Sequence, residues 1–159
     1  MAAPRRGNTG RSTYFVTAST FQRSNLFQSE RMARLFVEVL LGYRTGGKYL
    51  LHEFVLMTDH FHLLITPTLT LERALQLIKG GFSYRARKEL EFGGEIWETS
   101  FHDRRVRSLE EYENFRAYIR QNPVKRFLVT AAEEYPYSSA AGFLLDEVPQ
   151  RLKPLTSTA

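Results

Sequence analysis

The sequence predicts an α+β domain in which helices pack on a central antiparallel sheet. Short segments rich in β-branched and aromatic residues alternate along the chain with longer segments whose apolar residues recur at helical spacing. Two predicted strands, residues 48–57 and 60–66, are separated only by Thr58-Asp59. So short a connection makes them antiparallel neighbours.

The other elements follow from local signals. Residues 12–19 form a first strand, Ser29 is placed to cap a first helix, and Gly46-Gly47 ends that helix. A second helix begins near Thr70 and is predicted to kink or break at Gly80-Gly81.

Residues 101–107 form a fourth strand, and Ser108 opens a third helix with a capping-box sequence. That helix is predicted to end at Asn122, because Pro123 disfavours helical geometry in the residue before it. The order β-α-β-β-α-β plus a C-terminal helix predicts a ferredoxin-like sandwich.

The composition fits one domain with a substantial core, since 43% of the 159 residues are hydrophobic. We expect a flexible basic N-terminus over residues 1–11, the domain over 12–141 and a loosely packed tail over 142–159. The absence of cysteine excludes disulfides, thiolate metal sites and a cysteine nucleophile. No secretion signal or membrane-spanning run is visible, so we expect a cytoplasmic protein. The net charge of +5 is compatible with a polyanionic partner.

The triplet His60-Phe61-His62 is the most informative motif of the chain. On a strand, alternate side chains point to the same side, so both imidazoles emerge from one face. Two adjacent nitrogen donors on a rigid strand provide half of a divalent-metal site. The alternative is a structural pair of hydrogen-bonded histidines near a sheet edge.

The third helix carries a second candidate group. Tyr112, Phe115 and Ile119 recur at helical spacing and define its buried stripe. Tyr118 lies about a quarter-turn from the middle of that stripe. Asn122 follows four residues later on the same flank. Tyr118 is therefore placed to face a neighbouring site, although without the histidines it is simply a half-buried surface tyrosine.

These segments together resemble a known family. Met57-Thr58-Asp59-His60-Phe61-His62-Leu63-Leu64 and the downstream segment from Tyr118 to Arg126 are similar to the HUH single-tyrosine transposases, and more closely to their REP-associated tyrosine transposase branch. Ile96-Trp97, residues 101–107 and Tyr135-Pro136-Tyr137-Ser138-Ser139 match that branch as well. Thr58 departs from the family, which often has proline there.

The resemblance implies a chemistry. His60, His62 and Asn122 would bind Mg²⁺ or Mn²⁺, and Tyr118 would attack a phosphodiester of single-stranded DNA. The products would be a 5′-phosphotyrosine link and a free 3′-hydroxyl. The implied partner is hairpin-forming single-stranded DNA, and the resemblance leaves both a homodimer and a monomer open.

Basic clusters mark candidate DNA-binding residues, which are Lys79, Arg85, Arg87, Lys88, Arg104, Arg105, Arg107, Arg120, Lys125 and Arg126. Aromatic candidates for base stacking are Phe82, Tyr84 and Trp97, and Arg5, Arg6 and Arg11 form a candidate flexible arm. His52 is most simply structural, while His102 is a candidate acid, base or supporting group.

Two other functions remain open from the sequence. The first is a nucleic-acid-binding protein without catalysis, or a domesticated enzyme that no longer mobilises DNA. The second is a metal-dependent hydrolase that uses water, but the sequence lacks the carboxylate ligands or general base that such an enzyme needs.

Overall fold

The computed structural model describes residues 11–154, in which helices surround one four-stranded sheet. The main elements are β1 Thr13–Ser19, α1 Glu30–Thr45, β2 Tyr49–Leu56, β3 His60–Pro67, α2 Leu71–Leu90, β4 His102–Val106 and α3 Leu109–Lys125. The strand order is β2-β3-β1-β4, and each neighbouring pair is antiparallel. The predicted α+β sandwich is confirmed. Of the predicted basic arm, only Arg11 lies within the described residues.

The two faces of the sheet bury different side chains. α1 and α2 cover one face, where Phe61 and Leu63 of β3 join the larger core. α3 covers the other face, where Val55 of β2 packs in a smaller core with Tyr112 and Ile119. Because side chains alternate along a strand, the residues that flank Phe61 point toward α3.

Serine hydroxyls cap the first and third helices, as the sequence predicts. Oγ of Ser29 accepts a hydrogen bond from the Met32 amide at 3.3 Å, and Oγ of Ser108 accepts one from the Glu111 amide at 3.1 Å. Each hydroxyl satisfies a donor that the first helical turn leaves without a partner. The starts of α1 and α3 are therefore determined locally.

α2 is one continuous helix, so the predicted break at Gly80-Gly81 is wrong. A Cβ atom built on Gly81 would lie 2.6 Å from the hydroxyl oxygen of Tyr43 in α1. The second glycine therefore leaves room for the Tyr43 side chain of α1 against α2.

α3 continues past Asn122 to Lys125, so its predicted end is also wrong. Pro123 lies in the last turn, where its missing N–H removes only one helical hydrogen bond. The chain then leaves the helix through Phe127, whose amide donates to the Val124 carbonyl at 3.0 Å, while the Leu128 amide donates to the Pro123 carbonyl at 2.9 Å. These two bonds are those of a Schellman motif.

Residues 142–154 pack against the domain, in contrast to the loosely packed tail that the sequence predicts. The Asp146 carboxylate accepts hydrogen bonds from Arg44 at 2.8 Å and from the Leu51 amide at 2.9 Å. The side chain of Leu152 is buried in the smaller core. Within the described part of the chain, no helix has the length and apolar character needed to cross a bilayer.

Replacing Phe127 with glycine should stabilise the protein. Phe127 has φ of 61° and is 93% exposed, so its ring contributes little packing. A left-handed backbone costs a non-glycine residue about 1–2 kcal/mol, and the greater freedom of glycine in the unfolded chain offsets about 0.5–1 kcal/mol. We expect Phe127→Gly to raise the free energy of unfolding by about 0.5–1 kcal/mol in a urea titration.

The matched control is Phe127→Ala, which removes the ring but keeps the Cβ atom. It should change the free energy of unfolding by no more than about 0.5 kcal/mol. A glycine variant that is no more stable than the alanine variant would show that the backbone at this position is not strained.

Candidate active site

The two histidines of β3 lie on the face that α3 covers. His60 is 3% exposed and His62 is 5% exposed, and the centroids of their rings are 4.8 Å apart. Phe61 between them points into the opposite core, as the alternation of a strand requires.

The Nδ1 atom of each histidine ring already has a hydrogen-bond partner. Nδ1 of His60 donates to the Asp59 carboxylate at 2.7 Å, because a carboxylate can only accept. Nδ1 of His62 is 2.7 Å from Oγ1 of Thr17 on β1. With a proton on Nδ1, the lone pair of a neutral imidazole is on Nε2, which is the arrangement seen in histidines that bind a metal.

Burial keeps these imidazoles uncharged. Burial is the main cause that lowers the pKa of His62 to about 3, and the neighbouring His60 ring and the charge of Arg126 lower it further. Burial also lowers the pKa of His60, although Asp59 opposes this shift. Burial raises the pKa of Asp59, but hydrogen bonds from His60 and Arg23 outweigh that effect and leave the pKa below its usual range. Both histidines are therefore neutral donors at pH 7, beside a carboxylate that stays ionised.

Tyr118 of α3 contacts His62, and Asn122 follows one helical turn later on the same flank of α3. The Tyr118 ring centroid is 5.2 Å from that of His62 and 5.8 Å from that of Phe15, in both cases edge to face. Tyr118 is 44% exposed, whereas Asn122 is 4% exposed. Tyr118 therefore combines contact with His62 and access to solvent, within a single chain.

Two buried atoms, one on β3 and one on α3, have no hydrogen-bond partner. Among the described side chains, the buried nitrogen and oxygen atoms without a hydrogen bond are Nε2 of His62 and Oδ1 of Asn122. A buried polar atom without a partner is costly, so such atoms mark a site that another group completes. An imidazole nitrogen and an amide oxygen are both donors to a divalent cation. The residues present therefore fit a metal.

Residues 11–154 hold no cluster of three or more histidine, aspartate or glutamate side chains able to bind a metal ion. A cation held by His60 and His62 would thus depend on a neutral amide as its third protein donor. Neutral donors leave the charge of the cation uncancelled, so affinity should be modest and should rise when an anionic substrate is bound.

Four predicted DNA-binding residues belong to α2, on the opposite side of the sheet from the histidines. They are Lys79, Arg85, Arg87 and Lys88. Arg85 pairs with Glu89 at 2.6 Å and with Glu38 at 3.2 Å, and Lys79 donates to the Glu98 carbonyl at 2.9 Å. The structure does not bring this group to the histidines.

The other predicted DNA-binding residues lie on β4, or in or directly beside α3. Arg104 is over the Phe115 ring at 5.7 Å, and Arg126 is close enough for its charge to lower the pKa of both histidines. Arg107 and Lys125 are at the two ends of α3, and Arg105 alternates with Arg104 on β4. Arg120 is instead paired with Glu53 at 3.2 Å.

The aromatic stacking candidates divide by burial. Phe82 is fully buried in the larger core, and Trp97 packs against it while its indole N–H donates to the Lys79 carbonyl. Tyr84 is 63% exposed, but it lies on α2. Of the three aromatic candidates, only Tyr84 is exposed enough to stack on a nucleic-acid base.

The remaining histidines have different positions. His52 is buried, and its two ring nitrogens lie 2.9 Å from the Asp146 carbonyl and 2.8 Å from Oγ1 of Thr66, as expected of a structural side chain. His102 is exposed on β4, directly opposite Thr17, which is directly opposite His62. Cross-strand partners share a face, so His102 is two strands away from His62 in the same row.

Sequence reasoning missed Asp59 and Thr17 as supporting residues. Asp59 directly precedes His60, so its carboxylate is a local signal that was available. Thr17 becomes a partner of His62 only through the pairing of β1 with β3. No local pattern in the sequence reveals that contact.

The fold and the site are typical of a tyrosine transposase, since paired strand histidines face a tyrosine on a neighbouring helix. The family model described as "Transposase IS200 like" matches residues 9–122, which include the predicted nucleophile and the three predicted metal ligands. The chain therefore belongs to the IS200-like transposase family. A search of the curated proteins finds no match.

Solved structures confirm the fold. The chain is similar to a REP-associated tyrosine transposase solved with a REP hairpin, with a TM-score of 0.72, 19% identity and coverage of 99% of this chain and 100% of that chain. It is also similar to a putative transposase from Deinococcus radiodurans R1, with a TM-score of 0.52, 22% identity and coverage of 74% of this chain and 95% of that chain.

Metal titration checks the fit of the site. We expect Mn²⁺ binding, measured by calorimetry, to be lost in His62→Ala because an imidazole donor is removed. In Thr17→Val the affinity should fall about 10–100-fold, because the partner that orients the ring is removed. His102→Ala, two strands away, is the control and should bind Mn²⁺ normally. Equal Mn²⁺ affinity in His62→Ala and wild type would exclude this site.

Proposed function

We propose that the protein is a metal-dependent endonuclease and strand transferase that acts on hairpin-forming single-stranded DNA through a 5′-phosphotyrosine intermediate. The observation that carries the proposal is the orphaned buried Nε2 of His62 beside the half-exposed Tyr118, with the orphaned Oδ1 of Asn122 one helical turn further along α3. Membership of the IS200-like transposase family supports it.

A DNA hairpin is the proposed substrate. The similar REP-associated tyrosine transposase was solved with a REP hairpin. In this chain, Arg104 and Arg126 lie on the α3 side of the sheet, where they can neutralise phosphates near Tyr118. Such contacts position a strand without reading its sequence.

Tyr118 is the proposed nucleophile. The Tyr118 hydroxyl gives up its proton to water as its oxygen attacks the phosphorus and forms a P–O bond. The bond from phosphorus to the 3′ oxygen breaks, and that oxygen takes a proton from water and leaves as a hydroxyl. The phosphate at the 5′ end of the downstream DNA stays bonded to Tyr118. A different 3′-hydroxyl can then attack that phosphate, release the tyrosine and join the strand elsewhere. A covalent intermediate keeps the bond energy, which a strand transferase needs and a hydrolase does not.

The His60, His62 and Asn122 donors would hold Mg²⁺ or Mn²⁺. A bound cation supplies Lewis-acid stabilisation of the charge that develops on the phosphate oxygens. The protein contributes the rest: burial holds both imidazoles neutral, Asp59 and Thr17 orient them, and α3 positions Tyr118 for in-line attack.

The alternative function is binding of structured single-stranded nucleic acid without catalysis, whereas a domesticated member that still cleaves hairpins would share the proposed chemistry. Without catalysis, the unpartnered atoms of His62 and Asn122 would be a cost without a benefit, which favours the catalytic proposal. A hydrolase that uses water needs a general base near the phosphate. Asp59, the carboxylate bonded to His60, already holds His60 and Arg23.

Tyr118→Phe should abolish covalent attachment of DNA while the fold and Mn²⁺ binding persist, because only the hydroxyl is removed. DNA labelled on the 3′ side of the break should migrate with wild-type protein in denaturing electrophoresis, and peptide mapping should place the adduct on Tyr118.

Tyr112→Phe is the control, because Tyr112 is on the same helix but is only 4% exposed. It should keep the adduct and change the free energy of unfolding by less than about 1.5 kcal/mol. Cleavage that leaves no protein on the DNA would instead indicate attack by water.

Affinity for folded single-stranded DNA should fall as salt is raised. Each phosphate contact to a single strand contributes about 0.7 to the slope of log affinity against log salt. We expect Arg104→Gln to reduce the slope by about 0.7. Arg34→Gln is the control, because Arg34 is an exposed residue of α1, on the other side of the sheet. A slope unchanged by Arg104→Gln would remove Arg104 from the DNA surface.

A further inference from the structure

One buried carboxylate holds the flank of α3 that faces away from the candidate site. Glu53 of β2 accepts hydrogen bonds from Arg116 at 2.8 Å and from Arg120 at 3.2 Å. The Glu53 side chain is only 7% exposed, and the hydroxyl of Ser139 donates to it as well. The carboxylate therefore joins β2, α3 and the C-terminal segment.

A β-bulge in β2 places Glu53 on this side of the sheet. Leu51 pairs with Ile65 and Glu53 pairs with Leu64, so β2 has one extra residue, His52, between them. Without the bulge, Leu51 and Glu53 would share a face and the carboxylate would point into the larger core. The bulge sends Glu53 to α3 and leaves Leu51 in that core.

The two arginines and the two site residues lie on opposite flanks of α3. Residues two apart in a helix are separated by about 200°, so Tyr118 lies roughly opposite Arg116, and Asn122 lies roughly opposite Arg120. The ion pairs of Glu53 on one flank thus set the rotation of α3 about its own axis. That rotation determines where Tyr118 and Asn122 lie on the opposite flank. A rotation of about 10° moves an atom about 6 Å from the axis by about 1 Å.

We propose that Glu53 is a positioning residue for the strand-cleavage reaction, acting through Arg116 and Arg120 to hold Tyr118 and Asn122 against His62. This inference rests on the proposed function and extends it to residues outside the site. It also assigns Arg120 to the clamp that orients α3, rather than to the DNA surface. Displacement of a reacting group by about 1 Å lowers a rate by up to about 100-fold.

The chain offers a matched control in Asp146. Glu53 and Asp146 line the same cleft of about 310 Å³. Asp146 binds Arg44 of α1 at 2.8 Å, whereas Glu53 binds α3. Glu53→Gln and Asp146→Asn each remove one charge and keep the shape of the side chain, but only the first change releases the catalytic helix.

The test is single-turnover formation of the DNA adduct at saturating DNA and Mn²⁺, at a temperature where all variants are folded. We expect Glu53→Gln to lower the rate constant about 10–100-fold without changing DNA affinity, and Asp146→Asn to leave the rate constant unchanged. Glu53→Gln combined with Arg116→Gln should be no slower than Glu53→Gln alone, because the clamp is already broken. Equal losses in Glu53→Gln and Asp146→Asn would indicate a general effect on stability and would overturn the proposal.

Two further measurements separate this proposal from a DNA-binding role of the two arginines and from failure of the proposed function. Arg116→Gln and Arg120→Gln should leave the salt dependence of DNA binding unchanged, and a slope reduced by about 0.7 for either would make that arginine a phosphate contact and overturn the clamp. The nuclear Overhauser effect between the Tyr118 and His62 rings should weaken in Glu53→Gln and persist in Asp146→Asn, without any DNA. A wild type that forms no adduct would reject the proposed function, and the ring contact would still decide whether Glu53 orients α3.

Discussion

The alternation of side chains along β3 is the constraint on which the rest of the structure depends. It sends Phe61 and Leu63 into the core under α1 and α2, and His60 and His62 to the side of α3. One strand thus anchors the larger core and presents two nitrogen donors on its other face. Since β3 lies inside the sheet between β2 and β1, both donors are held by strands on either side.

The surroundings of the site are arranged to keep the histidines neutral and oriented. Burial removes the tendency to protonate, while Asp59 and Thr17 fix which nitrogen faces inward. Arg23 in turn binds Asp59 at 3.1 Å, and it does so from a left-handed backbone with φ of 55°. Strain of this kind, in a residue that supports the candidate site, is a common feature of functional regions.

The sequence reveals the features that depend on local spacing. It predicts the strand histidines, the capping serines and the position of Tyr118 off the buried stripe, and the structure has each where local spacing puts it. It fails at Gly81, which is explained by Tyr43 of another helix. It also fails at Pro123, because the turn directly after the helix provides hydrogen bonds to the Pro123 and Val124 carbonyls that the residue pattern does not reveal. Contacts such as Thr17 with His62 depend on strand order, which single segments do not encode. The roles of the site residues remain proposals.

The bulge of β2 also determines which changes in length the domain can accept. His52 has no partner in the register of β2 with β3. Deleting it would let Leu51 and Glu53 alternate normally and keep their present faces. Its loss would cost the contacts that its ring makes with Thr66 and with the Asp146 carbonyl. Deleting Phe54 instead would reverse the alternation on one side of the deletion. Either core residues of β2 or the Glu53 carboxylate would then point to the wrong face of the sheet. The alternation of this strand thus tolerates the loss of a residue at the bulge but not the loss of one that follows it.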